Sequence, residues 1–379
     1  MTLTAVRRAR GGTSLLFVLT GLVSATWAAR IPAVQDRLGL GASDLALIVV
    51  AAEGGAVAGL TAGAVLAGRA GSRACLRGGF AAYALGLAVI AVAPTLALLV
   101  SAVALWAAAN SVVDVALNVQ GVEIERRAGQ PVMSRLHAGH STGLIAGAGL
   151  AAGAAAVELP FPAHFALVAV AACVAGWAAT APLVSEPRGA AGPVLARPDR
   201  GVVLLGSIAF CAFAIEGTAS SWSAVHLRTD HHAAAGLAAA AYGVFAAAIL
   251  AGRLAGDRLL ARHGRVRVVA AAGALGTVAV AVLILAPVAS VALAGWLLLG
   301  AAVAPLAPAL LGAAPQASRL PTPTAVAATS SIGYLGSFTV PPLVGLLAAG
   351  TSVSTALLLL APPMLAAVAL ARPALRPAR

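Results

Sequence analysis

The sequence predicts an all-α integral membrane protein of twelve transmembrane helices arranged as two six-helix bundles. Three observations predict it. The chain is 61% hydrophobic and 9% charged, with a mean hydropathy of +0.97, where a soluble domain has roughly 45–50% apolar and about 25% charged residues. Its apolar runs are mostly about 20 residues long, the length of a helix crossing ~30 Å of hydrocarbon; barrel strands would be half as long and would alternate in polarity. Its arginines fall at alternate gaps between those runs, as they do when every second gap faces the same side of a bilayer.

The runs follow in order. The first, 13–30, comes after Arg7, Arg8 and Arg10 and ends in ATWAA. Its length and the charge asymmetry favour a retained span over a cleaved leader. The second and third, 45–67 and 75–93, are separated by the Gly/Arg turn LAGRAGSRACLR, Leu66 to Arg77. The fourth, 96–119, passes into the charged segment GVEIERR; the fifth and sixth are 136–157 and 164–183. VSEPRGAAGPVLARPDR, Val184 to Arg200, is the longest polar connection and reads as a cytoplasmic linker. The expected division is therefore a bundle at 1–183, a linker at 184–200 and a bundle at 201–379. The second bundle holds runs at 202–225, 234–256, 266–287, 289–312, 323–348 and 352–371. It echoes the first: AGRLAGDRLLARHGRVR, Ala251 to Arg267, stands where the earlier Gly/Arg turn stood, and the fifth and eleventh runs are both rich in small residues at helical spacing. Such residues let helix backbones approach closely in a bilayer.

The net charge of +12 is carried by arginine alone, as the chain contains no lysine. With both termini in the cytoplasm, only Arg30, Arg37 and Arg228 fall on the far side. Basicity here encodes topology in the inner membrane and argues against nucleic acid as a partner. Cys75, Cys173 and Cys211 lie in or beside apolar runs without metal-ligand spacing. His137 and His140, and the pair His231 and His232 after Asp230, lack further ligands, so no metal or cofactor is expected.

The two halves, the linker and both Gly/Arg turns resemble the major facilitator superfamily (MFS) over essentially the whole chain. The family's turn pattern, of the type G-x-L-A-D-R-x-G-R-R, is met by Leu66, Ala67, Arg69, Gly71 and Arg73, with Gly68 where the aspartate belongs. A fuller copy is Gly252, Asp257, Arg258, Gly264 and Arg265. WAARIP (Trp27 to Pro32), DVALNVQGVEIERR with His137, and EGTASSWSAVHLR (Glu216 to Arg228) are similar to a YbjJ-like branch, distantly fucose-permease-like. Ser221 and His226 depart from that branch, standing where it has an acid and a tyrosine. The resemblance implies transport by alternating access, with spans one, four, seven and ten lining a central cavity. It also implies a cytoplasmic gate made by Asp257, Arg258 and Arg265, with Arg69 and Arg73 as a weaker first copy. The competing reading of those charges is a solvated loop worth ~0–1 kcal/mol.

Of twelve acidic residues, Glu53, Asp114 and Glu216 lie well inside runs. A charge there costs at least about 2.5–3.5 kcal/mol on insertion scales, so each should face protein or water and is a proton-coupling candidate. Asn110, Asp114 and Asn118 recur at i, i+4 and i+8 as one polar stripe, which Trp106 extends by a turn. Asp114 either borders a water-accessible path, where it can bind and release a proton, or is held by the asparagines or a gate arginine. Glu216 is followed by Gly217, Thr218, Ser220, Ser221 and Ser223; it either binds proton or substrate or forms an inter-helix hydrogen bond. Glu53 reads better as a structural or gating contact. Trp106 and Trp296 are deep enough to stack on a sugar face or hold a cation, while Trp27 and Trp222 suit a belt or gate. Arg30 suits either an anionic substrate or snorkelling to the interface, and His137 suits a proton relay.

With no lysine there is no phosphate-binding loop of the G-x-x-x-x-G-K-[ST] type, so an ion gradient, protons first, is the expected energy source. The expected function is a secondary active transporter, not an enzyme, acting as a monomer on a small polar solute such as a sugar. Proton-driven efflux of amphipathic or toxic compounds is the alternative.

Overall fold

The computed structural model describes residues 3–40, 42–185, 197–233 and 235–375. Most of the expected linker, including Arg188, and the tail arginines Arg376 and Arg379 lie outside these residues. The secondary structure described is helical throughout. In chain order the helices are α1 (Leu3–Leu38), α2 (Ala42–Ala70), α3 (Ser72–Val92), α4 (Leu96–Ala128), α5 (Met133–Ala156), α6 (Phe161–Ala179) and α7 (Arg200–Thr229). There follow α8 (Ala235–His263), α9 (Arg265–Leu285), α10 (Ala289–Val303), α11 (Leu306–Ala317), α12 (Thr322–Gly350), α13 (Val353–Ala356) and α14 (Ala361–Ala374). A 3₁₀ turn, Leu357–Leu360, joins the last two. α10 with α11, and α13 with α14, form single interrupted segments, which makes twelve segments along the described residues. Ten of these are long and apolar enough to cross a membrane; the other two, α5 and α8, gather arginine and histidine at one end, α5 at its start and α8 toward its close.

The tenth segment breaks at Ala304–Pro305 because proline has no N–H to continue the helical ladder. Pro341 and Pro342, by contrast, sit inside an unbroken α12.

Both Gly/Arg turns expected from sequence shrink to one residue. α2 runs on to Ala70 and α8 to His263, leaving only Gly71 (φ 84°, ψ 152°) and Gly264 (φ 77°, ψ 155°) as joints. Both occupy a region that residues with a Cβ rarely enter, and each opens a helix of 21 residues. The corresponding segments thus share a joint of the same geometry. Arg253, Asp257 and Arg258, expected in a turn, are helical residues of α8. α1 likewise continues eight residues past Arg30, to Leu38, although the stretch apolar enough to cross a membrane closes at Ile31, beside Arg30.

Two compact units emerge: Met1–Val132, Leu136–Ala196 and Pro321–Ala327 in the first; Met133–Arg135, Arg197–Leu320 and Ala328–Arg379 in the second. Within the first, α4 packs on α1, α2 and α3, and α6 on α1 and α3. Glycine stripes set two of its closest approaches. On α5, a Cβ at Gly143 would meet the Val18 carbonyl and one at Gly147 the Leu22 carbonyl of α1; on α2, Gly55 and Gly59 face the Ala104 and Ala108 carbonyls of α4. Backbones in contact gain dispersion contacts that a bilayer does not otherwise reward. Within the second unit, α7 packs on α8, α11 and α14, and α9 on α10 and α14.

Candidate functional site

In the first unit, α4 carries the polar stripe. Asp114 is half-buried, and its carboxylate accepts a hydrogen bond from the Asn118 amide at 3.0 Å; the same amide also donates to the Asp114 carbonyl at 2.9 Å. The Asn118 carbonyl accepts from His137 Nε2 on α5 at 3.1 Å, and the His137 ring rests against Phe17 at 5.1 Å. Asp114, Asn118 and His137 therefore form one hydrogen-bonded line across two helices. One turn earlier, Asn110 is half-buried on the same face. Glu53 is half-buried on α2.

The rest of DVALNVQGVEIERR is anchored within the unit. Gln120, fully buried, donates to the Ser72 hydroxyl at 2.6 Å and the Val184 carbonyl at 2.7 Å, and accepts from the Val184 amide. Glu125 accepts from the Val132 amide at 3.0 Å and closes the turn into α5. Glu123 pairs with Arg126 and Arg127. Gln120 and Glu125 were not singled out in the sequence; for Gln120 the available signal was a polar side chain among apolar neighbours, whereas Glu125 stands in a charged segment.

Trp106 is 9% exposed and stacks on Tyr83 at 5.2 Å, with Trp27 at 6.2 Å. Tyr83 in turn donates its hydroxyl proton to the Thr20 carbonyl at 2.9 Å. Trp27 and Trp106 thus belong to an aromatic cluster among α1, α3, α4 and α6, extended by Phe165. Arg30 is buried against the Leu159 carbonyl. Arg69 is exposed, whereas Arg73 is half-buried and donates to the Ala181 carbonyl at 2.7 Å.

In the second unit, Glu216 forms an ion pair with Arg253 of α8 at 3.2 Å. Arg253 is a residue of α8, although the sequence sets it at the edge of the eighth run, within the Gly/Arg segment. Trp222 donates its indole N–H to the Pro341 carbonyl of α12 at 2.9 Å and covers Gly345.

Trp296 is fully buried and donates to His226 Nδ1 at 3.3 Å. That bond places the neutral His226 proton on Nε2, which faces the Ser354 hydroxyl at 2.9 Å; Ser354 donates onward to Asp230 at 2.8 Å. Tryptophan, histidine, serine and aspartate thus form a directed line that ties α7, α10 and α13 together, with the His231 ring edge-on to His226 at 4.9 Å. Trp296 presents no open ring face in this arrangement.

Asp257 is 4% exposed and accepts from the amides of Ser134 at 2.9 Å and Arg135 at 3.2 Å, the first turn of α5, which clusters with this unit. A carboxylate on a helix N-terminus is favourably placed. Arg258 is exposed and Arg265 half-buried. Asp199 caps α7 through the Val202 amide and also accepts from Ser318 and Arg319. Burial pushes its carboxyl up, but those hydrogen bonds prevail and hold it below the usual range. No group of three metal-type side chains occurs among the described residues.

No family model matches the chain. The chain is 31% identical over 348 residues to an uncharacterized MFS-type transporter of Yersinia pestis, covering 91% of this chain and 90% of that protein. It is 30% identical over 345 residues to an uncharacterized transporter of Sinorhizobium fredii, covering 89% and 90%. Among solved structures its fold resembles FucP, the Escherichia coli fucose:proton symporter, with a TM-score of 0.80 at 16% identity over 96% of this chain and 97% of that one.

Proposed function

We propose, from the premise that the chain belongs to the major facilitator superfamily of membrane transporters, that it moves a small polar solute across the inner membrane by alternating access, coupled to protons. Membership makes it a multi-pass transporter of small molecules and not an enzyme. The coupling is carried in this reading by Asp114, and one observation supports the choice. Its hydrogen-bond partner among the described residues is the Asn118 amide, whereas Glu216 is paired with the Arg253 guanidinium.

A carboxylate held by a neutral amide takes up a proton without stranding a buried cation. One held by arginine does not. The line from Asp114 through Asn118 to His137 gives the proton a second titratable station at the start of α5. Asn110, one turn from Asp114 on the same face, supplies an amide for a polar solute. Asp257, held on the first turn of α5, fits the gate role. FucP, the neighbour in fold, is itself a proton symporter, a coupling this reading shares.

Purified protein in proteoliposomes tests the reading. Solutes from a panel of sugars, sugar acids and nucleosides are offered with an inward proton gradient imposed. At least one is expected to accumulate saturably and to lose its accumulation on addition of a protonophore. Accumulation indifferent to the protonophore would overturn proton coupling.

A further inference from the structure

The end of the first unit where α1 meets the start of α6 gathers buried side-chain nitrogens that lack hydrogen-bond partners among the described residues. Arg30 is 9% exposed, and its Nη2 donates to the Leu159 carbonyl at 2.5 Å, two residues before α6 begins. His164 is 4% exposed in the first turn of α6, and its amide bonds the Pro160 carbonyl, so it rises from the same short loop that Arg30 grips. Both residues are thus tied to the connection that leads into α6. Among the described residues, Arg30 Nε and both ring nitrogens of His164 have no hydrogen-bond partner. The ion pairs among those residues involve Arg126, Arg127, Arg135 and Arg253, and none involves Arg30. Trp27 lies one turn before Arg30 and is 6.4 Å from Phe165, the residue after His164, which closes one side of the cluster.

Two of these deficits share a sign, the Arg30 Nε–H and the one N–H that a neutral imidazole carries; the other ring nitrogen of His164 is an acceptor. A buried guanidinium without an anion is unfavourable, as is a buried imidazole N–H without an acceptor, and one ligand group answers both. A carboxylate brings a negative charge and two acceptor oxygens, a fork that guanidinium matches and whose remaining lone pairs an imidazole N–H can occupy. A neutral sugar would supply acceptors and leave the charge, and a cation would be repelled. We propose that Arg30 and His164 form a binding site for the carboxylate of a small organic acid, which makes the transported solute an anion. This deepens, and rests on, the small-solute transporter reading above.

The test is melting of the full-length protein in mild detergent, titrated with D-gluconate, D-glucuronate and benzoate, with their neutral counterparts sorbitol, D-glucose and benzamide, and with sodium chloride at matched ionic strength. At least one carboxylate is expected to stabilise the wild type saturably while its neutral counterpart does not. Its apparent affinity should fall by about tenfold or more in Arg30→Gln and in His164→Gln, and Arg30→Lys should retain part of it. Where Arg30→Gln does not fold, His164→Gln decides alone.

The proposal is overturned if no carboxylate gives a saturable shift or if chloride reproduces the whole effect. It is also overturned if the neutral counterparts bind as well, or if affinity is unchanged in the glutamine variants. Melting reads binding with no gradient imposed, so it decides this proposal separately from whether uptake proves to be coupled to protons.

Discussion

A carboxylate in a membrane-spanning helix is stabilised by a cation beside it or by neutral hydrogen-bond donors, and this chain shows both arrangements. Glu216 has the cation: Arg253 lies across from it on α8, 9% exposed at the side chain against 32% for the glutamate. Asp114 has an amide. Removing one member of a buried pair is costly because the other charge is left uncompensated, typically about 3–5 kcal/mol, and the partial exposure of Glu216 reduces this to about 1–3 kcal/mol. Glu216→Gln should therefore lower the melting temperature more than Asp114→Asn does. The double variant Glu216→Gln with Arg253→Gln should regain part of the loss, measured as a double-mutant cycle. Additive losses would mean that the two side chains are not coupled.

Asp114 and Glu216 were legible in the sequence because an acid stands out against apolar neighbours. Arg253 was not. It lies among glycines and arginines that read as a loop, and only the length of α8, running to His263, shows that it is a helix residue. The carboxylate-site residue His164 was equally silent, as a single histidine after a proline carries no spacing that points to Arg30.

Among the elements, the most informative contact is the glycine stripe of α5 against α1. Gly143 and Gly147 lie where a Cβ would run into the Val18 and Leu22 carbonyls, and on the facing helix Gly21 meets the His140 carbonyl. Neither backbone can yield without moving its whole helix. Gly143→Leu should thus destabilise the protein by about 1–3 kcal/mol or more through overpacking, read as a lower melting temperature. An unchanged melting temperature would show that the helices do not approach this closely. Because His137 and His140 begin the same helix, that approach also sets the depth at which the Asp114 line ends.

Small residues at four-residue spacing announced close packing in the sequence, but not the partner helix, which is a property of the folded chain. The joints were misread for a related reason. Glycine and arginine clusters look like turns by composition, yet arginine is a good helix former and a single positive-φ glycine is enough to turn the chain. Gly71 and Gly264 do that alone.

For the molecule as a whole, the fold was the most legible level. In a bilayer every backbone polar group must be satisfied within the protein, so an all-helical chain follows from hydropathy alone, and the arginine distribution orders the gaps. Which side chains meet across helices depends on rotation and register, which hydropathy does not encode. The polar stripe of α4 could be drawn from spacing, but its continuation to His137 and the Trp296–His226–Ser354–Asp230 line could not.

The central claim is that a proton carried by Asp114 drives the transport. It is tested most directly by comparing wild type and Asp114→Asn in proteoliposomes, measuring both gradient-driven accumulation and gradient-free exchange of the solute identified by melting. Loss of accumulation with exchange retained is the predicted result, since the variant binds and rocks but carries no proton. Accumulation in Asp114→Asn equal to that of the wild type would contradict the account.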